Sequence, residues 1–219
     1  MIRGKRSMNS GTPPRKKLRS GLGGAALQSV GGGGSSVLLQ DTFIDTNGTN
    51  LSTHTMTVGP GWTLNSGSWD IQSNQANTTG VEPANPAWVA TADSGYSDTT
   101  ASLQAQLITP GFNSIGLIFR FQNNSNFWSA LITQANKFRI YETNATVFTV
   151  RAEADVTIDP EIMYTIQVVT VGTSITATMD GANSINFTSS FLQTQTKMGM
   201  RGGGNGEAGD RFANFLVTR

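Results

Sequence analysis

The sequence predicts an all-β fold in which two antiparallel sheets stack as a sandwich, preceded by a basic, extended N-terminal arm. In the segment 114–133, apolar and polar residues first alternate with the two-residue period of a β-strand. An asparagine-rich turn follows, and the next run carries apolar side chains on both parities, which is typical of a strand covered on both faces. A central antiparallel hairpin of this kind indicates two stacked sheets rather than one.

The first strand of this hairpin sets an expectation for individual side chains. Arg120 and Gln122 share one parity, and Ile118 breaks the alternation. The apolar residues of the other parity are Ile115, Leu117, Phe119 and Phe121. We therefore expect these four side chains to face one core and Arg120 to lie on the opposite face.

The chain from Val37 onward predicts further short strands separated by turns rich in Gly, Pro, Asn and Asp. We expect strands at 41–44, 62–64, 68–71, 87–90, 99–108, 137–141, 147–150, 163–171, 174–179 and 212–218. No segment of this part of the chain has a convincing helical period, which supports the all-β prediction.

Composition excludes several classes of protein. A chain of 219 residues is long enough to bury a core as one domain. It contains no cysteine, which excludes a disulfide framework and a thiolate metal site. No apolar run approaches the ~18 residues of a membrane span, and the charged N-terminus lacks the apolar stretch of a secretion signal.

Charge is distributed unevenly, with a basic arm in front of an acidic body. The seven basic residues of the arm are Arg3, Lys5, Arg6, Arg15, Lys16, Lys17 and Arg19. Subtracting these 7 from the 15 basic residues leaves 8 against 14 acids, a net charge of about −6 for the rest of the chain. We assign residues 1–36 to a Gly/Pro-rich flexible arm and linker and residues 37–219 to the sandwich domain. The arm would bind an acidic protein surface or neighbouring subunit, bind nucleic acid, or serve as an import signal or solubilising tail.

Several short motifs occur in an order that resembles the order in a known class of domains. They are Trp62-Thr63, Trp69-Asp70-Ile71, Gly116–Gln122, Tyr164–Val168, Met198–Arg201 and Phe212–Phe215. Their order resembles that of concanavalin A-like, laminin G-like jelly-roll domains, especially those of bacterial glycan-binding modules and phage structural proteins. The resemblance spans residues 38–219 and implies a jelly-roll sandwich. Because this fold carries lectins, hydrolases, adhesins and virion proteins alike, it implies a fold more strongly than a function.

A glycan site is one functional hypothesis, because aromatic side chains at loop ends stack on sugar rings. The candidate residues are Trp88, Asp93, Tyr96, Asn126 and Trp128, with the loop 93–98 as the main contact segment. The alternative is that tryptophans in strands fill the core, as we expect for Trp62 and Trp69.

A structural calcium site is a second hypothesis. Asp45 and Asn47 supply oxygen ligands on alternate residues beside Gly48, which would suit this ion. Many of the resembling domains add an aspartate from the last strand, where this chain has Asn214. The alternative is a plain Asx turn, and we expect no other cofactor.

Catalysis has weaker support, and we expect the protein not to be an enzyme. Glu153, Asp155 and Asp159 are spaced somewhat like the acids of sandwich glycosidases, but the segment runs directly into Pro160 and no tryptophan surrounds it. We interpret it as a solvated acidic edge. His54 is the only histidine and the chain has no cysteine, so a nucleophilic triad or a zinc site would lack parts.

These observations lead us to interpret the protein as a virion structural protein, in particular a phage capsid decoration or cement protein. Its arm would bind capsid or other virion proteins, and its lectin-like domain would lie outside as a homo-oligomer, after synthesis in the host cytoplasm. The alternative is a carbohydrate-binding lectin or adhesin module associated with a tail or fibre. A glycoside hydrolase and a genome-binding coat protein are further alternatives, and we expect no membrane partner.

Overall fold

Fifteen β-strands form two antiparallel sheets in the computed structural model, which describes residues 35–84, 87–107, 114–203 and 208–219. In chain order they are β1 (Val37–Asp41), β2 (Thr63–Ser66), β3 (Ser68–Gln72), β4 (Gln75–Thr79), β5 (Trp88–Asp93), β6 (Thr99–Gln106), β7 (Ser114–Asn123), β8 (Asn126–Thr133), β9 (Lys137–Asn144), β10 (Val147–Asp155), β11 (Met163–Val171), β12 (Ser174–Met179), β13 (Asn183–Thr188), β14 (Lys197–Gly202) and β15 (Arg211–Thr218). These ranges contain no helix that could cross a membrane.

The two sheets contain eight and seven strands. The eight-stranded sheet has the order β13-β12-β11-β6-β15-β4-β3, with β1 paired to β15. The seven-stranded sheet has the order β10-β9-β8-β7-β14-β5-β2. Strands that are distant in sequence, such as β7 and β14, therefore lie side by side, as in a jelly roll. The predicted two-sheet antiparallel sandwich is confirmed.

One core fills the space between the sheets, because alternate side chains of each strand point inward. Leu103 and Ile166 from the eight-stranded sheet are fully buried in it, as are Leu117 and Ile140 from the seven-stranded sheet. Burial of a side chain of this size contributes about 1.5–3 kcal/mol. The stacking of the sheets therefore stabilises the domain without a disulfide.

The strand β7 departs from the predicted alternation at Arg120. The backbone of Arg120 has a φ of 47°, and the pairing of β7 with β8 shifts between Phe119 and Asn123, which identifies a β-bulge. Phe119 packs in the core between the sheets, whereas Phe121 belongs to a separate cluster. The expectation that they share a face is wrong, because a one-residue slip moves the following side chain to the other face.

Arg120 is fully buried rather than exposed. Its Nη2 donates a hydrogen bond of 2.5 Å to the carbonyl oxygen of Gly172, in the turn between β11 and β12 of the opposite sheet. Its Nε and Nη1 have no hydrogen-bond partner. The guanidinium therefore lies at one end of the sandwich with most of its donors unused.

The outer face of the seven-stranded sheet also has an apolar centre. Val89, Ile118, Phe121 and Phe127 form a second buried cluster, and Phe148 packs against it. This cluster explains why apolar side chains occupy both parities in β7 and β8, as the sequence predicts for a strand covered on both faces.

Most of the predicted strands are confirmed, but some boundaries differ. The strands β4, β13 and β14 are short and rich in polar residues or glycine, so their periodicity does not predict them. The strand expected at 41–44 is wrong, because β1 spans Val37–Asp41 and shares only Asp41 with that range. Phe43 adopts a φ of 55°, and its N–H donates to Asp41 Oδ1 at 2.8 Å, which turns the chain into a loop.

The two ends of the described body lie together. Val37 of β1 pairs with Thr218 of β15. Ser36 and Arg219 exchange two backbone hydrogen bonds, each of 3.0 Å. Both ends of the body are thus held by the same pair of strands.

Replacing Arg120 with methionine is expected to preserve the fold and to raise the free energy of unfolding by about 1 kcal/mol. Burial lowers the pKa of Arg120, with the charge of Asp98 opposing this effect, so the buried cation is poorly stabilised. An apolar, flexible side chain removes this desolvation cost while filling similar space. Urea denaturation of the wild type and the variant measures the difference.

The matched control for this experiment is Phe119→Ala, which removes the neighbouring side chain from the main core. We expect this variant to lose about 3–5 kcal/mol. A loss of more than about 1 kcal/mol in Arg120→Met would contradict the prediction and would mean that the bond to Gly172 outweighs desolvation.

Candidate functional site

Two residues of the predicted glycan site are core residues. Trp88 and Trp128 are fully buried, and their indole N–H groups donate to the carbonyl oxygens of Thr79 at 3.0 Å and Phe191 at 2.9 Å. Neither ring presents a face to a sugar, because each packs in the core between the sheets. The alternative interpretation of strand tryptophans as core residues therefore holds for both.

Asp93, the last residue of β5, and Tyr96, in the loop that follows, both lie at the surface. Asp93 Oδ1 accepts hydrogen bonds from the N–H of Gly95 at 2.9 Å and from the hydroxyl of Thr196 at 2.6 Å. Tyr96 is 41% exposed, and the guanidinium of Arg219 lies 4.4 Å from the centre of its ring. One face of this aromatic ring is therefore already occupied.

Asn126 lies in a polar pocket at the turn between β7 and β8. The pocket has a volume of about 540 Å³, and we call it the amide pocket. Its lining consists of Asn65, Phe121, Gln122, Asn123, Asn124, Ser125, Asn126 and Lys197. Lys197 pairs with Asp93 across β14 and β5, so the pocket brings Asn126 close to the strand end that carries Asp93. Tyr96 and the two tryptophans do not line it.

Hydrogen bonds within the protein fix the orientation of the pocket amides. Asn123 Oδ1 accepts from the N–H of Ser125 at 2.9 Å and from Nδ2 of Asn126 at 3.1 Å. Asn124 Nδ2 donates to the carbonyl oxygen of Asn65 at 2.8 Å. Asn126 Oδ1 accepts from the N–H of Ala145 at 3.1 Å. The turn is therefore pre-organised by its own side chains.

Asn65 lies on β2, the edge strand beyond β5, and is held in the same way. Its Nδ2 donates to the carbonyl oxygen of Thr63 at 3.0 Å and to the hydroxyl of Thr91 at 2.7 Å. One half of this amide is used to fix its position, while Oδ1 has no protein partner among the described residues. Asn124 Oδ1 is buried and also has no partner. The pocket thus combines fixed amide groups with unused hydrogen-bonding capacity.

The predicted calcium ligands accept hydrogen bonds from the protein, Asp45 within its own loop and Asn47 from the turn between β3 and β4. Asp45 Oδ1 accepts from the N–H of Thr46 at 2.7 Å and the hydroxyl of Thr49 at 3.0 Å. Asn47 Oδ1 accepts from the N–H of Ser73 at 2.8 Å. In the part of the chain that the structure describes, no group of three or more His, Cys, Asp or Glu side chains is arranged to hold a metal ion.

His54 lies between two carboxylates, which sequence reasoning does not reveal. Its Nε2 is 3.0 Å from Asp41 Oδ1, and its Nδ1 is 2.8 Å from Asp45 Oδ2. Asp41 is buried and also accepts from the indole N–H of Trp62 at 2.7 Å. Both ring nitrogens can donate only when each carries a proton, so the geometry favours the imidazolium form.

The pKa values of this cluster follow from the same contacts. Burial alone would lower the pKa of His54, but its hydrogen bonds to Asp45 and Asp41, together with their charges, raise the pKa above its usual value. The hydrogen bond from His54, followed by those from Thr46 and Thr49, lowers the pKa of Asp45. These contacts therefore stabilise a charged pair of His54 and Asp45 in the loop where the sequence predicts a calcium site.

The acids considered for catalysis lie at the edge of the seven-stranded sheet. Glu153 Oε2 accepts from Arg139 Nε at 2.9 Å, and Asp155 forms an ion pair with Lys137. The bond to Lys137 lowers the pKa of Asp155, which keeps this carboxyl ionised and makes it unsuitable as a general acid. Asp159 lies beyond β10, where its N–H donates to the hydroxyl of Tyr164 at 2.7 Å.

The basic residues of the predicted partner-binding arm, from Arg3 to Arg19, lie outside the described residues.

Most residues of the amide pocket were not predicted from the sequence. The segment 122–125 is interpreted from the sequence only as a turn, and its clustered amides were the one signal that could have indicated a binding site. Asn65 and Lys197 come from distant strands, and no local pattern connects them to this turn.

Comparison with solved structures identifies the fold. A carbohydrate-binding module, CBM66 from Bacillus subtilis, has a TM-score of 0.58 at 16% identity, over 72% of this chain and 95% of that chain. A Bacillus subtilis protein of unknown function with a galectin-like fold has a TM-score of 0.54 at 10% identity, over 82% of this chain and 98% of that chain. The GH43B protein of a Bacteroides ovatus xyloglucan locus (PUL) has a TM-score of 0.60 at 16% identity, over 82% of this chain.

These similarities show that the described body has a concanavalin A-like jelly-roll sandwich fold. The chain spans only 38% of the length of the GH43B protein, so the likeness concerns one part of that protein. At identities of 10–16% the likeness is one of fold. No family model and no curated protein matches the sequence.

The His54 cluster predicts a pH-dependent stability. Because the pKa of His54 is higher in the folded state than its usual value of 6.5, its contribution is present below pH 6.5 and is lost as the pH rises through the raised pKa. We therefore expect the free energy of unfolding, measured by urea denaturation, to fall between pH 6 and pH 9. In His54→Gln this decrease should be smaller.

A second variant tests the partner of His54. The lowered pKa of Asp45 predicts that its contribution is lost as the pH falls below the usual value of 3.8, so Asp45→Asn should flatten the acid limb. Because this substitution also removes a bond that raises the pKa of His54, it should reduce the decrease between pH 6 and pH 9 as well. An equal decrease from pH 6 to pH 9 in the wild type and His54→Gln would show that His54 does not titrate as argued.

Proposed function

We propose that the protein is a carbohydrate-binding β-sandwich module that holds a glycan in the amide pocket. The observation that carries this proposal is the set of oriented amides around one pocket, among which Oδ1 of Asn65 has no partner within the described residues. A sugar hydroxyl both donates and accepts hydrogen bonds, and an amide group offers both functions within one side chain.

The pocket has the mixed character that a sugar ring requires. Phe121, from the second apolar cluster, contributes to the lining, while the surrounding side chains are amides and a hydroxyl. Small-ligand sites combine apolar surface with placed polar groups, and in this pocket the polar groups predominate. Since the amides are already fixed by hydrogen bonds within the protein, binding would order few side chains and the entropic cost would be low.

The solved structures support this interpretation over the virion interpretation. One similar structure is itself named a carbohydrate-binding module. None of the similar structures named above is called a virion protein, and the arm on which the virion interpretation depends lies outside the described residues. The lectin-like alternative from the sequence is therefore the one we retain, with an attachment role for the arm as a secondary proposal.

The test is a glycan-binding screen with the full-length protein, followed by isothermal titration calorimetry on the glycans that bind. We expect Gln122→Ala and Asn65→Ala each to weaken binding by about three- to tenfold, because a hydrogen bond contributes about 0.5–1.5 kcal/mol. Gln122 is exposed and makes no hydrogen bond within the described residues, so its replacement should leave the stability unchanged.

The matched control is Asn186→Ala. This amide accepts from the hydroxyl of Thr176 at 2.8 Å on the eight-stranded sheet, away from the pocket. Glycan binding that is equally affected by all three substitutions, or by none of them, would place the site elsewhere on the sandwich.

A further inference from the structure

Lys197 is the one charged side chain among the eight residues that line the amide pocket. The others are four asparagines, a glutamine, a serine and a phenylalanine, and no carboxylate is among them. A positive charge with no acid beside it in the lining would favour a ligand group of negative charge.

The position of Lys197 is fixed by its strand. It is the first residue of β14, where it pairs with Asp93 on one side and with Phe121 on the other. Phe121 is buried in the second apolar cluster, so the backbone at this point is anchored. The side chain of Lys197 itself is exposed and can turn toward a ligand.

The acid that pairs with Lys197 across the sheet, Asp93, is already engaged by other groups. Asp93 Oδ1 accepts from the hydroxyl of Thr196 and the N–H of Gly95. These bonds are the main cause of the lowered pKa of Asp93, and the charge of Lys197 is the smallest contribution. Lys197 forms no ion pair within the described ranges. Its ammonium group therefore remains available for a ligand.

Because the body carries a net negative charge, a cation such as Lys197 marks a place where it can attract an anion. Outside the basic arm the chain has 8 basic and 14 acidic residues, so its overall field repels anions. An anion would bind only where a local cation outweighs this field. The amide pocket meets this condition, because Lys197 stands there without an acidic neighbour in the lining.

We infer that the pocket selects an acidic glycan, whose negatively charged substituent binds Lys197 while the amides bind its hydroxyl groups. This inference rests on the proposed function. A carboxylate of a uronic acid and a sulfate ester share the required charge, and the test separates them.

The experiment compares three sets of oligosaccharides on the full-length protein: neutral hexose oligomers, uronic acid oligomers, and sulfated oligomers. We expect the acidic sets to bind more tightly than the neutral set. Because the seven basic residues of the arm also attract acidic oligomers, the test is the difference between the wild type and Lys197→Gln, which share the arm. Lys197→Gln should weaken their binding by about tenfold, because a hydrogen bond to a charged group is among the stronger ones. Raising the salt concentration should weaken binding in the wild type but much less in the variant.

The matched control is Arg211→Gln, which removes one positive charge from β15 of the other sheet, where the side chain is exposed. It should leave the affinity for the acidic set unchanged. A preference for uronic acids over sulfated oligomers identifies the carboxylate as the bound group, and the reverse preference identifies the sulfate.

The outcomes separate this inference from the proposed function. Tight binding of neutral oligomers that is weakened by Asn65→Ala but not by Lys197→Gln would overturn the acidic specificity and leave the carbohydrate-binding function standing. The absence of binding to all three sets would overturn both. Equal weakening by Lys197→Gln and Arg211→Gln would show a general effect of net charge and would also overturn the inference.

Discussion

The β-bulge at Arg120 determines which side chains of β7 face the inner core and which face outward. Before the bulge, β7 directs Phe119 into the core between the sheets, and after it the strand directs Phe121 to the outer face. One strand thereby joins two apolar clusters that lie on opposite sides of a sheet. Because β7 lies between β8 and β14, the pairing of both neighbours shifts near the same point.

The amide pocket depends on the same bulge. If β7 kept its alternation, Phe121 would lie in the inner core and the turn that follows would begin on the opposite face. Because the register shifts at the bulge, Phe121 lies on the outer face and lines the pocket together with the amides of the turn and Lys197 of β14. A local irregularity in the central strand thus positions side chains from three separate parts of the chain around one site.

Local periodicity was sufficient to predict the sandwich, but not which residues meet across it. Strands such as β6 and β11 alternate cleanly, so their inward faces could be predicted. Trp88 and Trp128 could not be assigned in this way, because their burial depends on residues packed opposite them from distant segments. The bulge at Arg120 gives no sequence signal, and the contact of Asp41 with His54 joins a strand to a loop that the pattern leaves undefined.

The adjacency of Ser36 and Arg219 has a consequence for how this body can be combined with other chains. Since two backbone hydrogen bonds hold these residues side by side, the points of entry and exit form a single narrow stem. A host loop could therefore accept the whole sandwich as an insertion without separating its own flanking residues, and a circular permutation that joins the two ends would need only a short connection. Because its first and last strands pair, the body is suited to insertion into another protein as one domain.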